Sequence, residues 1–424
     1  MKRGTLSKMG RRRWAPLLAA IGPGLIAASA DNDAGGITTC SLAGAKYGYS
    51  ILWVLIVITL SLAVTQEMGA RMGVVTGKGF GDLIREKFSA RWAAFGILTM
   101  LLANLSTTIA EFAGVAASML ILGVKPYVSV PLAALAVAIL VTRFDYHRVQ
   151  KVFLTSSVLY LTYVLSGILA HPDWGFAARS ILHPNIPTDP KSLLPYLVMV
   201  IGTIGTTITP WGQFFIQSYV VEKRLRTEDL AYARADVYVG AFVTDFISFF
   251  IMVACAATLY QSGHRDITDA AHAAQALEPL AGSLAAGLFA FGLLNASLLG
   301  AAILPLTSAY ATCETFGWEA GIDKSPRQAP IFFGIFLFLI LGGGTVVVFL
   351  QEKRLVQIIL ASQVLNGILL PAILIFALRI TNDRSVMGKY TNSRVFNFIA
   401  IATTVVLILL TVLVVATSLV QVPA

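Results

Sequence analysis

Two acidic residues, Asp31 and Asp33, stand in an apolar stretch with Gly22-Pro23-Gly24 before them and Gly35-Gly36 after. A second apolar stretch, Gly202 to Gln213, carries Thr206, Thr209, Pro210, Trp211 and Gln213. Each has the look of a helix broken in mid-membrane. Carboxylates at bilayer depth are costly and are retained for an ion or substrate path, while Gly and Pro free backbone carbonyls that can ligate a cation. Together the two stretches imply a cation path.

The elements that must position these residues are membrane spans. The 424 residues are 57% hydrophobic and 12% charged, with mean hydropathy +0.77, too apolar for a soluble globule. Apolar runs of about 20 residues, enough to span, fall near 15–45 (interrupted), 49–70, 93–122, 127–142, 152–171, 194–221 (interrupted), 236–260, 281–313, 330–350, 355–378 and 396–420. Eleven spans are expected. If the basic N-terminus is cytoplasmic, 24 of the 31 Lys and Arg lie on that side. This positive-inside pattern places the C-terminus outside a cytoplasmic membrane. The net charge of +9 then reflects topology, and no nucleic-acid signal accompanies it. A basic start followed by Ala28-Ser29-Ala30 also suits a cleavable signal peptide, but Gly22-Pro23-Gly24 interrupts its apolar region. Cys40, Cys255 and Cys313 are far apart in sequence and imply neither a disulfide framework nor a metal cluster.

The hydrophilic segments are short, the largest near 172–193 and 261–280, so a single transmembrane domain over 1–424 is expected. The broken spans are first and sixth, the spacing that two inverted five-helix repeats produce. The fold class is therefore an all-α membrane protein of about eleven helices. Repeat one covers about 15–171, repeat two about 194–378, and an extra helix about 396–420. The site belongs where the first and sixth spans meet.

Four segments carry a family likeness: Gly22-Pro23-Gly24, the run Gln66 to Lys78 after the second span, Ala110-Glu111-Phe112-Ala113-Gly114, and Ser362 to Pro371. In these the chain resembles the natural resistance-associated macrophage protein family of divalent-metal transporters. The resemblance covers nearly the whole chain and implies a leucine-transporter-like fold with helices 1 and 6 discontinuous. Departures from the family pattern concentrate at the site. Its Asp-Pro-Gly-Asn becomes Asp33-Ala34-Gly35-Gly36, and its Met-Pro-His becomes Thr209-Pro210-Trp211. Where the third span has Asp three residues before the Glu, this chain has Thr108 ahead of Glu111. After Trp211 the alignment slips by one residue through Gln213 and Gln217.

Thioethers favour soft and borderline metals, whereas carboxylate, hydroxyl and carbonyl oxygens suit magnesium and manganese. Magnesium sheds water reluctantly and is held by few carboxylates with waters retained. Gly35 and Gly36 leave room for such waters. The pattern resembles the magnesium-transporting branch of the family, so magnesium, with manganese tolerated, is the expected cargo, and no resident cofactor is expected. The expected metal set is Asp33, Asp31, Gly36, Thr206 and Thr209. Asp33 either ligates the ion or caps the second half-helix. Asp31 lies about 200° round from it in a helix, so it joins the same ion only if the chain is unwound there. Thr206 and Thr209 either supply oxygens or bond back to their own helix. Gln213, Gln363 and Asn366 either hold the hydration shell or bridge helices, and Glu111 either walls an ion or proton route or pairs with an Arg. Glu67, beside Arg71, and Asp245 are expected to be structural or near the cytoplasmic ends.

Four of the five histidines fall outside the spans and the fifth, His171, is the last residue of one, so no imidazole in mid-membrane carries protons. Trp211 and Thr108, replacing His and Asp, accept none either. Transport uncoupled from protons follows as an expectation, since the membrane potential alone supplies about 4.6 kcal/mol per 100 mV for a divalent ion. Two alternatives remain: a proton-coupled manganese or iron importer, and a cation-coupled amino-acid transporter, which two acids in the first span oppose. An enzyme is disfavoured, because the spans hold no nucleophile and base pair. The expected partners are divalent cations and the lipid bilayer, with no obligate protein partner evident.

Overall fold

A computed structural model describes residues 32–143, 160–267, 269–278, 282–322 and 324–420. Asp31 and Gly22-Pro23-Gly24 lie outside the described residues. In chain order the principal helices are α1 (Ala34–Tyr47), α2 (Trp53–Thr76), α3 (Phe80–Lys87), α4 (Ala90–Ile121), α5 (Pro126–Arg143), α6 (Leu161–Leu169) and α7 (Trp174–Leu182). They continue with α8 (Pro190–Thr207), α9 (Pro210–Glu222), α10 (Leu230–Cys255), α11 (Ala285–Phe316), α12 (Pro330–Val348), α13 (Leu355–Thr381) and α14 (Arg394–Val420). Among the described residues there is no strand, as expected where every backbone polar group must be satisfied without water.

Of the eleven spans read from the sequence, eight appear as helical segments long and apolar enough to cross a membrane, with α8 and α9 counted as one crossing. The fourth span is α5, whose apolar part, Pro126–Thr142, is shorter. The first and fifth are represented by α1 and α6, their remaining residues lying outside the described ones. The hydrophilic 172–193 stretch contains α7, which starts where Asp173 accepts a hydrogen bond from Phe176 N at 2.8 Å. It packs through Phe176 on Tyr49 and Trp174 on Phe250.

The helices form two groups. In one, α1 and α2 pack on α10, α9 packs on α2, and α6 lies against α10. In the other, α4 packs with α5, α11 and α12. Helix α13 contacts α4, α8 and α1 and so joins the groups. Helix α14 lies at the rim, its most apolar stretch 22% buried against 72% for the segment holding α10.

Membrane helices lack the hydrophobic drive of water, so small residues that let backbones approach decide where they cross. A Cβ on Gly205 of α8 would stand 2.1 Å from Gln363 O and 2.4 Å from Gly367 N of α13. A Cβ on Gly44 of α1 would stand 2.4 Å from Met252 O of α10. These two crossings hold the breaks in place.

The breaks themselves are local. Pro210 has no N–H and disfavours a helical conformation at the residue before it. Accordingly Ile208 (φ −103°, ψ 92°) and Thr209 (φ −99°, ψ 149°) are extended, and α9 restarts at Pro210. In the first stretch Asp33 (φ −75°, ψ −171°) is the N-cap of α1, the residues before Asn32 lying outside the described ones.

Candidate cation site

Asp33 is 3% exposed, and its Oδ1 accepts from Gly36 N at 2.8 Å. The capping role is therefore real, and it engages one oxygen of the carboxylate. Both Gly35 and Gly36 are buried beside it without side chains.

Glu111, fully buried on α4, accepts from Ala34 N at 3.3 Å through Oε2 and is hydrogen-bonded to the Asp33 carboxyl. The expectation that it pairs with an Arg is not met among the described residues. Glu111 instead joins Asp33 at the start of α1, because Gly300 of α11 leaves room for its carboxyl; a Cβ there would stand 2.5 Å from Glu111 Cδ. Its Oε1 has no partner.

Gln363 and Asn366 lie one turn apart on α13, both fully buried. A Cβ on Gly35 would fall 2.0 Å from Gln363 Nε2 and 3.0 Å from Asp33 Oδ1, so amide and carboxylate converge on the space that Gly35 leaves. Asn366 Nδ2 donates to Gln363 Oε1 at 3.0 Å and to Thr107 Oγ1 at 2.9 Å. Asn366 therefore bridges α13 to α4, and Gln363 reaches the site. Since Gly205 packs on the Gln363 backbone and Gly35 on its amide, Gln363 links the two breaks.

Thr206 and Thr209 differ. Thr203 and Thr207 bond back to Met199 O and Thr203 O at 2.8 and 3.2 Å. The Thr206 hydroxyl, expected as an alternative to do the same, is buried with no partner. Thr209 Oγ1 caps α9 by accepting from Gly212 N at 3.2 Å.

Trp211 is 1% exposed, its Nε1 unpartnered and its ring edge-on to Phe215 at 5.6 Å. Gln213, one turn into α9, is buried with Oε1 unpartnered. Gln217 lies a further turn along and donates to Lys78 O at 2.8 Å, tying α9 to the α2–α3 linker. Thr108 Oγ1 donates to Asn104 O at 2.7 Å, and its methyl packs on Gly343 of α12. It is committed to helix packing.

Two further expectations receive a definite placement. Glu67 is a buried structural acid, paired with Arg71 at 3.0 Å and with Arg234 of α10 at 2.7 Å. Asp245 is not near a helix end; it is buried near the middle of α10. One residue escaped the sequence reading altogether: Tyr160, 1% exposed just before α6, lies within electrostatic reach of Asp33 and Glu111. An isolated Tyr at the edge of an apolar run gives no signal of its own.

The groups brought together are two carboxyls, Asp33 and Glu111, and the Gln363 amide, while Thr206 has a buried hydroxyl without a partner close to the second break. Oxygen donors of this kind suit hard cations. The description "natural resistance-associated macrophage protein-like" fits residues 24–417. The divalent metal cation transporter MntH of Ralstonia nicotianae is 28% identical over 406 residues, covering 91% of this chain and 88% of that protein. MntH of Erwinia tasmaniensis is 29% identical over 412 residues, covering 95% of each. The solved manganese transporter of Eremococcus coleocola superposes with a TM-score of 0.75 at 19% identity, over 100% of this chain and 91% of that one. Inward-facing Mhp1 superposes with a TM-score of 0.53 at 16% identity, over 94% and 91%. These likenesses show the leucine-transporter-like fold. With the family match running through both breaks and nearly every span, the chain belongs to the natural resistance-associated macrophage protein family.

Proposed function

We propose that the chain moves divalent metal cations across a membrane by alternating access, with magnesium as preferred cargo, manganese accepted, and the ion partly hydrated. The MntH relatives are named divalent metal cation transporters and the Eremococcus protein a manganese transporter, which supports a divalent cargo. The observation that supports magnesium is a buried carboxylate, Asp33, with a second carboxyl, Glu111, beside it and no sulfur ligand among the described residues placed around it. Gly35 and Gly36 leave space beside the carboxylate, and Thr209 and Trp211 supply neither thioether nor imidazole. In this reading Asp33 ligates the ion directly or through water, with Thr206, Thr209 and the break carbonyls as further oxygens. Asp31 joins if its segment is unwound. Gln363 and Gln213 hold the hydration shell.

The same reading makes transport uncoupled from protons, because Trp211 and Thr108 are not proton acceptors. It includes the inverted repeats near 15–171 and 194–378, a cytoplasmic N-terminus and a cytoplasmic-membrane location. One observation favours a proton-coupled manganese importer instead: Asp33 and Glu111 are hydrogen-bonded carboxyls, and two such groups in contact share a proton.

Uptake into liposomes containing a pH dye separates the two. Magnesium entry without acidification, abolished in Asp33→Ala, is the expected outcome. Manganese entry that excludes magnesium and acidifies the lumen overturns the magnesium reading.

A further inference from the structure

Outside the site, one carboxylate stands in mid-span without a partner. Asp245 lies near the middle of the 26-residue helix α10, is 5% exposed, and meets no hydrogen-bond donor at either oxygen. Of the basic groups on the flanking helices, Lys46 is exposed in the last turn of α1. Arg71 of α2 and Arg234 of α10 both engage Glu67, and Arg234 is about three helical turns away.

The neighbours decide its form. Its side chain faces Thr59 of α2, whose hydroxyl proton is already given to Leu55 O at 2.7 Å. With its proton on Leu55 O, Thr59 offers Asp245 a lone pair, and a hydrogen bond between the two then has Asp245 as donor. That requires the carboxylic acid. On the α1 side, Cys40 is within electrostatic reach of Asp245, and its thiol is directed at Ser248, one turn further along α10. The titratable groups on the packed elements are Cys40, Lys46 and Tyr47 on α1 with Asp33 at its cap, Glu67 and Arg71 on α2, Tyr163 on α6, and Tyr232, Arg234, Asp236, Tyr238 and Cys255 on α10 itself. None places a cation beside Asp245. A buried charge with neither counter-ion nor donor is far costlier than the neutral acid with one hydrogen bond.

We propose that Asp245 is an intramembrane proton-binding site in the seam of α1, α2 and α10, holding its proton toward Thr59 Oγ1 while the three helices stay packed. The proton is a resident of the seam, separate from the cation site, and no transported ion displaces it. Ionisation leaves an unpaired charge between α10 and its neighbours and loosens the seam. Transport therefore falls as pH rises, whichever divalent cation is carried.

Infrared difference spectroscopy of metal-free wild type against Asp245→Asn tests this without any transport. The expected result is a carboxylic-acid band at neutral pH that the Asn variant lacks; a carboxylate band in its place overturns the proposal. Should Asp245→Asn not fold, Thr59→Val carries the test, since loss of the acceptor moves the acid band to higher frequency and an unmoved band overturns the idea. Asp33→Ala, which stops uptake in the proposed function, keeps the band, so failure of that reading and of this one are distinguishable. Manganese uptake supplies the second readout. Wild-type rates fall with rising pH, by about tenfold per pH unit once the acid ionises, while Asp245→Asn stays flat. A wild-type pH profile in Asp245→Asn counts against the proposal.

Discussion

A methyl group at position 35 would fall 2.0 Å from Gln363 Nε2, and the cation site depends on its absence. The obstructing atom is the end of a flexible side chain, so Gly35→Ala leaves the fold intact and pushes the amide off Asp33. Lost outer-shell partners cost about 10–100-fold in metal affinity or activity. Manganese uptake by Gly35→Ala is expected to fall by that factor with the thermal midpoint unchanged; normal uptake would remove Gln363 from the site. Of the residues expected to serve the ion, Asp33 is both cap and candidate ligand, and those roles are compatible because the cap uses Oδ1. Thr206 and Thr209, equivalent in sequence, separate here, one hydroxyl free and the other capping α9.

Between elements, the decisive contacts are backbone on backbone. The obstacles to a Cβ on Gly205 are Gln363 O and Gly367 N, neither of which moves unless α8 and α13 part. Overpacking of this kind costs typically about 1–3 kcal/mol, occasionally more. Gly205→Ala is expected to lower the thermal midpoint in detergent and, because Gln363 is carried on the displaced helix, to lower uptake as well. A variant as stable as wild type shows that this crossing does not set the position of α13. The two alanine changes thus separate an effect on the site from an effect on the scaffold.

Across the whole molecule, one buried ionic network spans elements distant in sequence. Arg71 of α2 pairs with Glu67, which also takes Arg234 of α10, and the Arg71 guanidinium donates to Tyr390 O and Asn392 Oδ1 in the linker from α13 to α14. Removing one partner of a buried pair costs about 3–5 kcal/mol, because the other is left charged and unpaired. Arg71→Ala is therefore expected to unfold or to lose most of its thermal stability, with Glu67→Gln/Arg71→Met less affected than Arg71→Ala. Equal stability of the single and double variants would show that the pairing is not what matters. The sequence by itself determined what is local: the succession of apolar spans, the break at Thr209-Pro210, where Pro disfavours helix at the residue before it, and the helix start at Asp33, where a capping side chain stands ahead of two glycines. It also exposed the loss of thioether and imidazole, since that is a matter of residue type. Which helix faces meet was decided only by the tertiary structure. The spans are apolar all round, so periodicity does not say which side of α4 carries Glu111 toward Ala34, that Gln363 enters the space left by Gly35, or that Tyr160 lies near both carboxyls. For the same reason the sequence leaves Asp245 as either structural or near a cytoplasmic end, and only its burial near the middle of α10 puts it in the bundle interior. In lipid, with no water to sort polar faces outward, close approach at small residues fixes those pairings.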